Sequence, residues 1–115
     1  MEFLNRIILR GIVGTAKIQQ FHEKTFANFT VVTEYAYRNR GGEPTIDTTW
    51  HNVHAFEGKN ICLEGLEKGA LVEVEGRLRA VRYTDATGAD RTTYEVAASK
   101  VSVIDDGKHA QAVQV

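Results

Sequence analysis

Apolar and polar residues alternate with a period of two along most of this chain, which is the pattern of β-strands that bury one face. The segments are rich in β-branched and aromatic residues, which suit a pleated, half-buried surface. The pattern predicts strands over residues 5–21, 26–37, 46–56, 70–83 and 91–104. Gly14 and Gly76 interrupt the first and the fourth, and a glycine inside a strand pattern predicts a bulge or bend.

The third predicted strand separates two kinds of side chain. Because neighbours in a strand point to opposite faces, one face carries two large aromatics among polar groups, namely Trp50, Asn52, His54 and Phe56. The other face is typical of a core and holds His51, Val53 and Ala55. An exposed aromatic offers an unpaired base a flat stacking surface worth roughly 1–3 kcal/mol. Trp50 and Phe56 are therefore candidate stacking residues, and the alternative is that they pack under a loop or at a subunit contact.

The connections between the strands differ in composition. Residues 22–24 form a polar loop, and residues 84–90 predict a hairpin turn. Residues 38–44 contain two glycines and the only proline, which predicts a long hairpin loop. Residues 57–67 have one weakly apolar side, and Gly69 is well placed as a C-terminal cap, so a short helix is predicted there.

This order of elements predicts an all-β fold: a five-stranded OB-fold Greek-key barrel with one short helix between strands 3 and 4 and a long β-hairpin loop. Five-stranded barrels of other topologies give similar patterns, so the pattern alone leaves them open. With 115 residues, one domain is expected. We predict that it covers residues 1–105 and that residues 106–115 form a short disordered tail, because nothing there is periodic.

The charge balance argues against a uniformly basic nucleic-acid binder, since 14 Lys and Arg accompany 15 Asp and Glu. Any binding groove must then be a local patch. The candidates for attracting phosphates are Arg6, Arg10, Arg38, Arg40, Lys59, Arg77, Arg79 and Arg82. Tyr35 and Tyr37 lie at the base of the predicted hairpin loop, whose arginines would wrap a nucleic-acid strand or simply form a solvated tip.

Composition also bears on catalysis and location. The single cysteine, Cys62, cannot form an internal disulfide and is expected to be buried as a small hydrophobe. The four histidines show no metal-ligand spacing and the acids are scattered, so we predict no metal, no cofactor and no enzymatic activity. No apolar run approaches 18 residues and no leader is recognisable, so a cytoplasmic, nucleoid-associated protein without a membrane partner is expected.

Three stretches of the sequence form a set with a defined order and spacing: residues 5–14 (NRIILRGIVG), residues 49–56 (TWHNVHAF), and residues 74–79 (VEGRLR) with 83–85 (YTD). In that order they resemble the first strand, the central DNA-facing strand, and the fourth strand with its hairpin in the bacterial single-stranded DNA-binding protein (SSB) family. The resemblance covers residues 5–104. It implies an OB-fold that binds and protects single-stranded DNA without sequence preference in replication, recombination or repair.

The resemblance also implies roles for individual aromatic residues. Trp50, Phe56 and Tyr83 fall where the family places base-stacking aromatics. Tyr35 or Tyr37 falls near a fourth such position. Tyr83 stands where a tryptophan is common, which predicts modestly weaker stacking.

Self-association is expected as well. His51 falls where the family has a subunit-contact histidine, which implies a homotetramer built as a dimer of dimers in preference to a simple dimer. Ile8 and Ile12 add apolar side chains to a face that a small barrel cannot bury alone, so Ile8 is a further interface candidate.

One departure from the family concerns the C-terminus. Family members usually end in a flexible acidic tail with a terminal aromatic that recruits replication and repair enzymes, whereas this sequence ends QAVQV after the single acidic pair Asp105-Asp106. Recruitment by that route is therefore not expected. The difference keeps open a tail-less primosomal accessory OB protein that binds DNA and a helicase. A protein-interaction barrel without a nucleic-acid role is the third interpretation.

Overall fold

Five long strands make up a computed structural model that describes residues 2–106. The strands are β1 Ile7–Phe21, β2 Lys24–Arg38, β3 Pro44–Phe56, β4 Leu71–Thr84 and β5 Asp90–Asp105. They close into a barrel in the order β1-β2-β3-β5-β4, with β4 returning to pair with β1. All pairs are antiparallel except β3 with β5. The predicted five-stranded barrel is confirmed, and no helix in the described part of the chain is long and apolar enough to cross a membrane.

The core lies inside the barrel and takes alternate residues from the strands. Its largest fully buried side chains are Val13, Val31, Val53, Val72 and Val74. β-Branched valines suit this position because they fill the space above a pleated sheet with little rotamer freedom to lose. Within residues 2–106, no polar or charged residue is buried. The barrel is therefore stabilised by apolar contact and by the strand ladders.

Both predicted irregularities in the strands are present. The β1–β2 register shifts between Val13 and Ala16, around Gly14. The β4–β5 register shifts next to Gly76. Gly76 must lack a side chain there, because a Cβ would stand 2.2 Å from the carbonyl oxygen of Ala97.

The short helix predicted between the third and fourth strands is wrong. Residues 57–70 form turns and isolated β-bridges, one of which joins Ile61 to β5. Gly65, inside the predicted helix, has a φ value of 81°, which lies outside the helical range. Ile61 and Leu63 both enter the core, and their spacing of two is that of an extended chain. The apolar residues that suggested a helix thus belong to the irregular segment 57–70, which we call the strap and which lies along the barrel wall.

Three predictions about burial are wrong as well. Cys62 is exposed because it alternates with the buried Ile61 and Leu63 in the extended strap. Alternation with Val72 and Val74 along β4 predicts that Leu78 and Ala80 also face inward, yet both are exposed. The reason is that β1 pairs with β4 only as far as Gly76, so β4 and β5 continue as a two-stranded arm.

A second arm is formed by β2 and β3. Their pairing runs to Arg38 and Pro44, whereas β1 accompanies β2 only as far as Val32. The loop predicted to be long is a compact turn over residues 39–43, and the paired strands supply the length of the hairpin. The guanidinium of Arg38 donates a hydrogen bond to the carbonyl oxygen of Gly42 at 2.7 Å, which places this predicted phosphate ligand against the turn.

Candidate nucleic-acid interface

The outer face of β3 carries the two aromatics that the alternation placed there. Trp50 is 58% exposed and Phe56 is 51% exposed, whereas Val53 on the opposite face is 2% exposed. The neighbouring β2 strand extends this surface, with Val32 opposite Trp50 and Phe26 opposite Phe56. The predicted separation of the two faces of β3 is confirmed.

The Trp50 ring lies directly over Gly14 at the β1 bulge. A Cβ added to Gly14 would stand 2.2 Å from Cζ3 of the Trp50 ring and 2.8 Å from Oγ1 of Thr30. The bulge is held in place because the Thr15 amide donates a hydrogen bond to Thr30 Oγ1 at 2.9 Å. The ring is thus supported on one side by backbone and open to solvent on the other, which is a pre-organised stacking surface.

We expect Gly14→Ala to push the Trp50 ring off this support. The added methyl group cannot coexist with the ring, and overpacking of this kind costs roughly 1–3 kcal/mol where neighbours cannot move. Since Trp50 is half exposed, much of the change should appear as a shifted emission maximum and greater acrylamide quenching. Gly58→Ala is the matched control, because within residues 2–106 no atom beyond its chain neighbours lies within 4 Å of a Cβ at Gly58. An emission spectrum unchanged by Gly14→Ala would contradict the placement of the Trp50 ring against Gly14.

An aromatic cluster surrounds Phe56 at the far end of β3. Phe56 meets His54 nearly edge-on, with ring centroids 4.9 Å apart at 84°. Phe26 of β2 lies 5.8 Å from Phe56 and 5.5 Å from His54. His54 Nδ1 is hydrogen-bonded to Oδ1 of Asn28 at 2.7 Å, which fixes the plane of the imidazole. Alternation along β3 places His54 beside Phe56 but gives it no role, whereas Phe26 cannot be assigned from the sequence because only the β2–β3 register brings it to Phe56.

Tyr35 and Tyr37 do not share a face with Trp50. Their rings stack on each other with centroids 6.2 Å apart at 28°. They have the same parity along β2 as Val31, which is buried, so they continue the core side of the ribbon onto the β2–β3 arm. Tyr35 is 70% exposed there. A nucleic-acid strand that touches these tyrosines and Trp50 must pass around the edge of the arm.

The β4–β5 arm continues the outer face that carries Trp50. In register, His54 of β3 pairs with Ala97 of β5, which pairs with Arg77 of β4. Arg77 is therefore two strands from His54 on the same side, about 10 Å away at the usual strand spacing. Arg79 and Tyr83 share this face because they lie at even spacing from Arg77. Arg82, also predicted to bind DNA, lies on the opposite face.

A network around Asp85 closes the β4–β5 arm beside Tyr83. The Asp85 carboxylate accepts hydrogen bonds from Arg91 Nε at 2.8 Å, from Thr87, and from the amide of Ala89 at 3.1 Å. Led by the Arg91 contact, these donors lower the pKa of Asp85 to about 2. Its contribution to the order of the turn is thus complete above the ordinary pKa and lost only as the pH falls towards 2.

Several of the predicted phosphate ligands are paired with carboxylates. The ion pairs are Arg6 with Glu75 at 3.2 Å, Arg10 with Glu73 at 2.8 Å and Arg79 with Glu95 at 3.2 Å. Exposed pairs of this kind contribute at most about 1 kcal/mol, so a phosphate can compete for the arginine, but the local charge is close to neutral. Within residues 2–106, no ion pair occupies Arg40, Lys59, Arg77 or Arg82. These four are the stronger candidates for phosphate contact.

His51 lies on the inner face of β3, where the barrel opens into the arm. Its Nε2 is hydrogen-bonded to Oγ1 of Thr33 at 2.7 Å, and burial lowers the pKa of the imidazole. The unfolded chain therefore binds a proton more readily than the folded one. Stability should be complete above about pH 6.5 and fall as the pH decreases below it.

This pH dependence is measurable with urea denaturation at pH 7.5 and pH 5.5. We expect His51→Gln to show a smaller loss of stability between the two pH values than the original chain, because glutamine does not titrate. The other histidines are retained in both proteins and provide the common background. An equal loss in both would contradict a lowered pKa of His51 in the folded protein.

Comparison with known proteins adds to this geometry. The model of the single-strand binding protein family matches residues 4–104. Proteins named single-stranded DNA-binding protein from serogroup A and serogroup B strains of Neisseria meningitidis are each 30% identical to this chain over 104 residues. The alignments cover 88% of this chain and 60% of each relative, so this chain spans about 60% of their length.

Solved structures show the same architecture. The Plasmodium falciparum SSB in complex with ssDNA superimposes with a TM-score of 0.76 and 25% identity, covering 91% of this chain and 96% of that one. A deletion mutant of the single-stranded DNA binding protein from Thermus aquaticus gives a TM-score of 0.72 at 20% identity, covering 92% of this chain and 52% of that one. These likenesses confirm the OB-fold predicted from the order of the strands.

Proposed function

The chain belongs to the single-strand binding protein family, and from that premise we propose that it binds single-stranded DNA without sequence preference and protects it during replication, recombination or repair. The observation that carries the proposal is the outer face of β3, where Trp50 and Phe56 expose their rings over a rigid sheet. The Neisseria relatives are named for this activity, and the Plasmodium structure contains ssDNA. The family match and these names favour this function over a primosomal accessory protein.

The mechanism combines stacking with charge. Bases of the strand stack on Trp50 and Phe56, which are six residues apart and hence about 20 Å apart along β3. Because every base has a flat face, this mode of binding tolerates all sequences. Duplex DNA is rejected because its bases already stack on one another. Tyr83 and the Tyr35–Tyr37 pair supply further stacking surface on the two arms.

The phosphates of the DNA strand contact lysine and arginine side chains on the β2–β3 arm, on the β4–β5 arm and beside the outer face of β3. The main contacts come from the four that have no carboxylate partner within residues 2–106, namely Arg40, Lys59, Arg77 and Arg82, while the ion-paired Arg6, Arg10 and Arg79 contribute less. Arg38 contributes a phosphate contact at the end of the β2–β3 arm, where its guanidinium donates a hydrogen bond to the carbonyl oxygen of Gly42. Four phosphate contacts to a single strand correspond to a slope of about −3 in a plot of log affinity against log salt concentration.

A competition experiment tests this function. A labelled thymidine oligonucleotide is bound to the protein, and its anisotropy is followed as unlabelled single strand or duplex is added at several salt concentrations. We expect single strand to displace the probe far more effectively than duplex, with affinity falling as salt rises. Equal competition by duplex, or affinity independent of salt, would overturn the proposal.

The proposed role is binding and does not include catalysis or a cofactor. In the described part of the chain, no group of three or more His, Cys, Asp or Glu side chains is placed to hold a metal ion. Since bacterial single-stranded DNA arises in the nucleoid, the proposal locates the protein there, in the cytoplasm. The disordered tail predicted over residues 106–115 stays a prediction, because residues 107–115 lie outside the described residues. The expectation that this segment does not recruit replication or repair enzymes stays a prediction for the same reason.

We also propose that the protein is a homotetramer assembled as a dimer of dimers. Ile8 is 54% exposed and Ile12 is 44% exposed on the outer face of β1, and two such apolar residues together favour a subunit contact. His51 lies on the inner face of β3, so Ile8 and His51 would serve two different interfaces. Light scattering at micromolar concentration gives the mass directly. The mass of a dimer would favour the primosomal accessory protein, and the mass of a monomer would contradict the proposed self-association.

A further inference from the structure

The β1–β2 hairpin carries an aromatic groove, and Phe56 is the only one of its lining residues to which the proposed function gives a role. Its two-residue turn places His22 and Glu23 at φ values of 50° and 67°, the left-handed conformation of a tight hairpin. The tip stands beside the end of β3 because Phe26 pairs with both β1 and Phe56. The groove has a volume of about 430 Å³ and is lined by Phe21, His22, Lys24, Phe26, His54 and Phe56.

The walls of this groove are aromatic and remain open to solvent. Phe21 is 65% exposed, an unusual state for a phenylalanine at the end of a strand. The Phe21 ring contacts the His22 ring edge-on, with ring centroids 4.2 Å apart, and this contact restricts the Phe21 ring at the hairpin tip. Among residues 2–106, Lys24 is the only lysine or arginine that lines the groove, and the neighbouring acids Glu23 and Glu57 do not line it.

We propose that this groove is a second base-stacking subsite, in which Phe21 and Phe26 receive a base adjacent to the one stacked on Phe56. The inference rests on the proposed function and extends its platform beyond β3. Two observations select a nucleotide as the occupant. The groove is continuous with the outer face of β3 because Phe56 lines both, and the Lys24 ammonium at the rim complements a phosphate.

The subsite predicts a dependence on strand length. An oligonucleotide long enough to extend from Trp50 past Phe56 engages the hairpin tip, whereas a shorter one occupies the β3 face alone. Phe21→Ala should therefore weaken binding of long thymidine oligonucleotides by at least about fivefold and leave the shortest ones unaffected. Phe21→Leu keeps apolar bulk without a flat ring and should show the same loss, which separates stacking from any effect on folding.

Ile18→Ala is the matched control for these variants. Ile18 is 47% exposed in the same hairpin, but it pairs with Ala27 and so lies on the opposite face. It should bind all lengths as the original chain does. Lys24→Gln should lower the steepness of the salt dependence by about 0.7 for long strands, the value expected for one lost phosphate contact.

The outcomes separate this inference from the proposed function. If the unmodified chain fails to bind any single strand, the proposed function is wrong and the subsite with it. If the unmodified chain binds and Trp50→Ala weakens binding, while Phe21→Ala and Phe21→Leu match Ile18→Ala at every length, only the subsite is overturned. A change in oligomeric mass on Phe21→Ala with unchanged affinity would assign the groove to a second copy of the chain and also overturn it.

Discussion

Val53→Asp is expected to abolish folding, whereas Asn52→Asp, one position earlier in β3, should leave the fold intact. Val53 is 2% exposed inside the barrel, and the core around it is built from apolar side chains. An unpaired buried charge there costs at least about 3–5 kcal/mol, which is a large part of the roughly 5–15 kcal/mol that stabilises a typical native protein. Asn52 faces solvent, so a charge at that position stays hydrated.

Far-UV circular dichroism and thermal denaturation measure the difference between the two variants. Asn52→Asp should melt cooperatively within a few degrees of the original chain, and Val53→Asp should show no cooperative transition. A folded Val53→Asp together with an unfolded Asn52→Asp would show that the two faces of β3 are reversed. The stacking platform would then be a core element and the binding model would fail with it.

Removing the exposed aromatics should weaken DNA binding without affecting the fold. Trp50→Ala and Phe56→Ala are each expected to reduce affinity for a single strand by roughly 1–3 kcal/mol, about 5- to 150-fold. Both residues are at least half exposed, so little core packing is lost. Ile104→Ala, a 48% exposed apolar residue near the end of β5, is the control and should bind normally.

The double variant adds a sharper condition. Because Trp50 and Phe56 are about 20 Å apart along the strand, their effects should add to within roughly 0.5 kcal/mol. Anisotropy titrations of the four proteins under one salt condition give the comparison. Wild-type affinity in either single variant, or a double variant no weaker than one of the singles, would mean that the two rings do not each hold a base.

Much of the barrel could be predicted because period-two alternation depends only on local sequence. The faces of β3 followed directly from it, as did the bulge at Gly14. The conformation of the strap after β3 could not be predicted in the same way, because the spacing of its apolar residues fits one side of a helix as well as an extended segment packed against the barrel. The left-handed backbone of Gly65 and the bridge between Ile61 and β5 decide between these, and both are set by the tertiary fold.

The site was harder to predict because it depends on which strands become neighbours. Arg10 and Glu73 are far apart in the sequence, yet the β1–β4 register places them opposite one another and removes much of the charge assigned to Arg10. The groove at Phe21 likewise requires three strands to meet. Alternation shows which residues of one strand share a face. Which residues of the neighbouring strands join them on that face depends on the pairing register, which alternation does not give.

The fluorescence of Trp50 tests the central claim most directly. It is the only tryptophan in the sequence, so its emission reports the proposed platform alone. On titration with a thymidine oligonucleotide, base stacking on the ring should quench the emission to a saturating plateau, and the same concentrations of duplex should leave it nearly unchanged. Emission that stays constant at saturating single strand, or that duplex quenches equally well, would contradict the account.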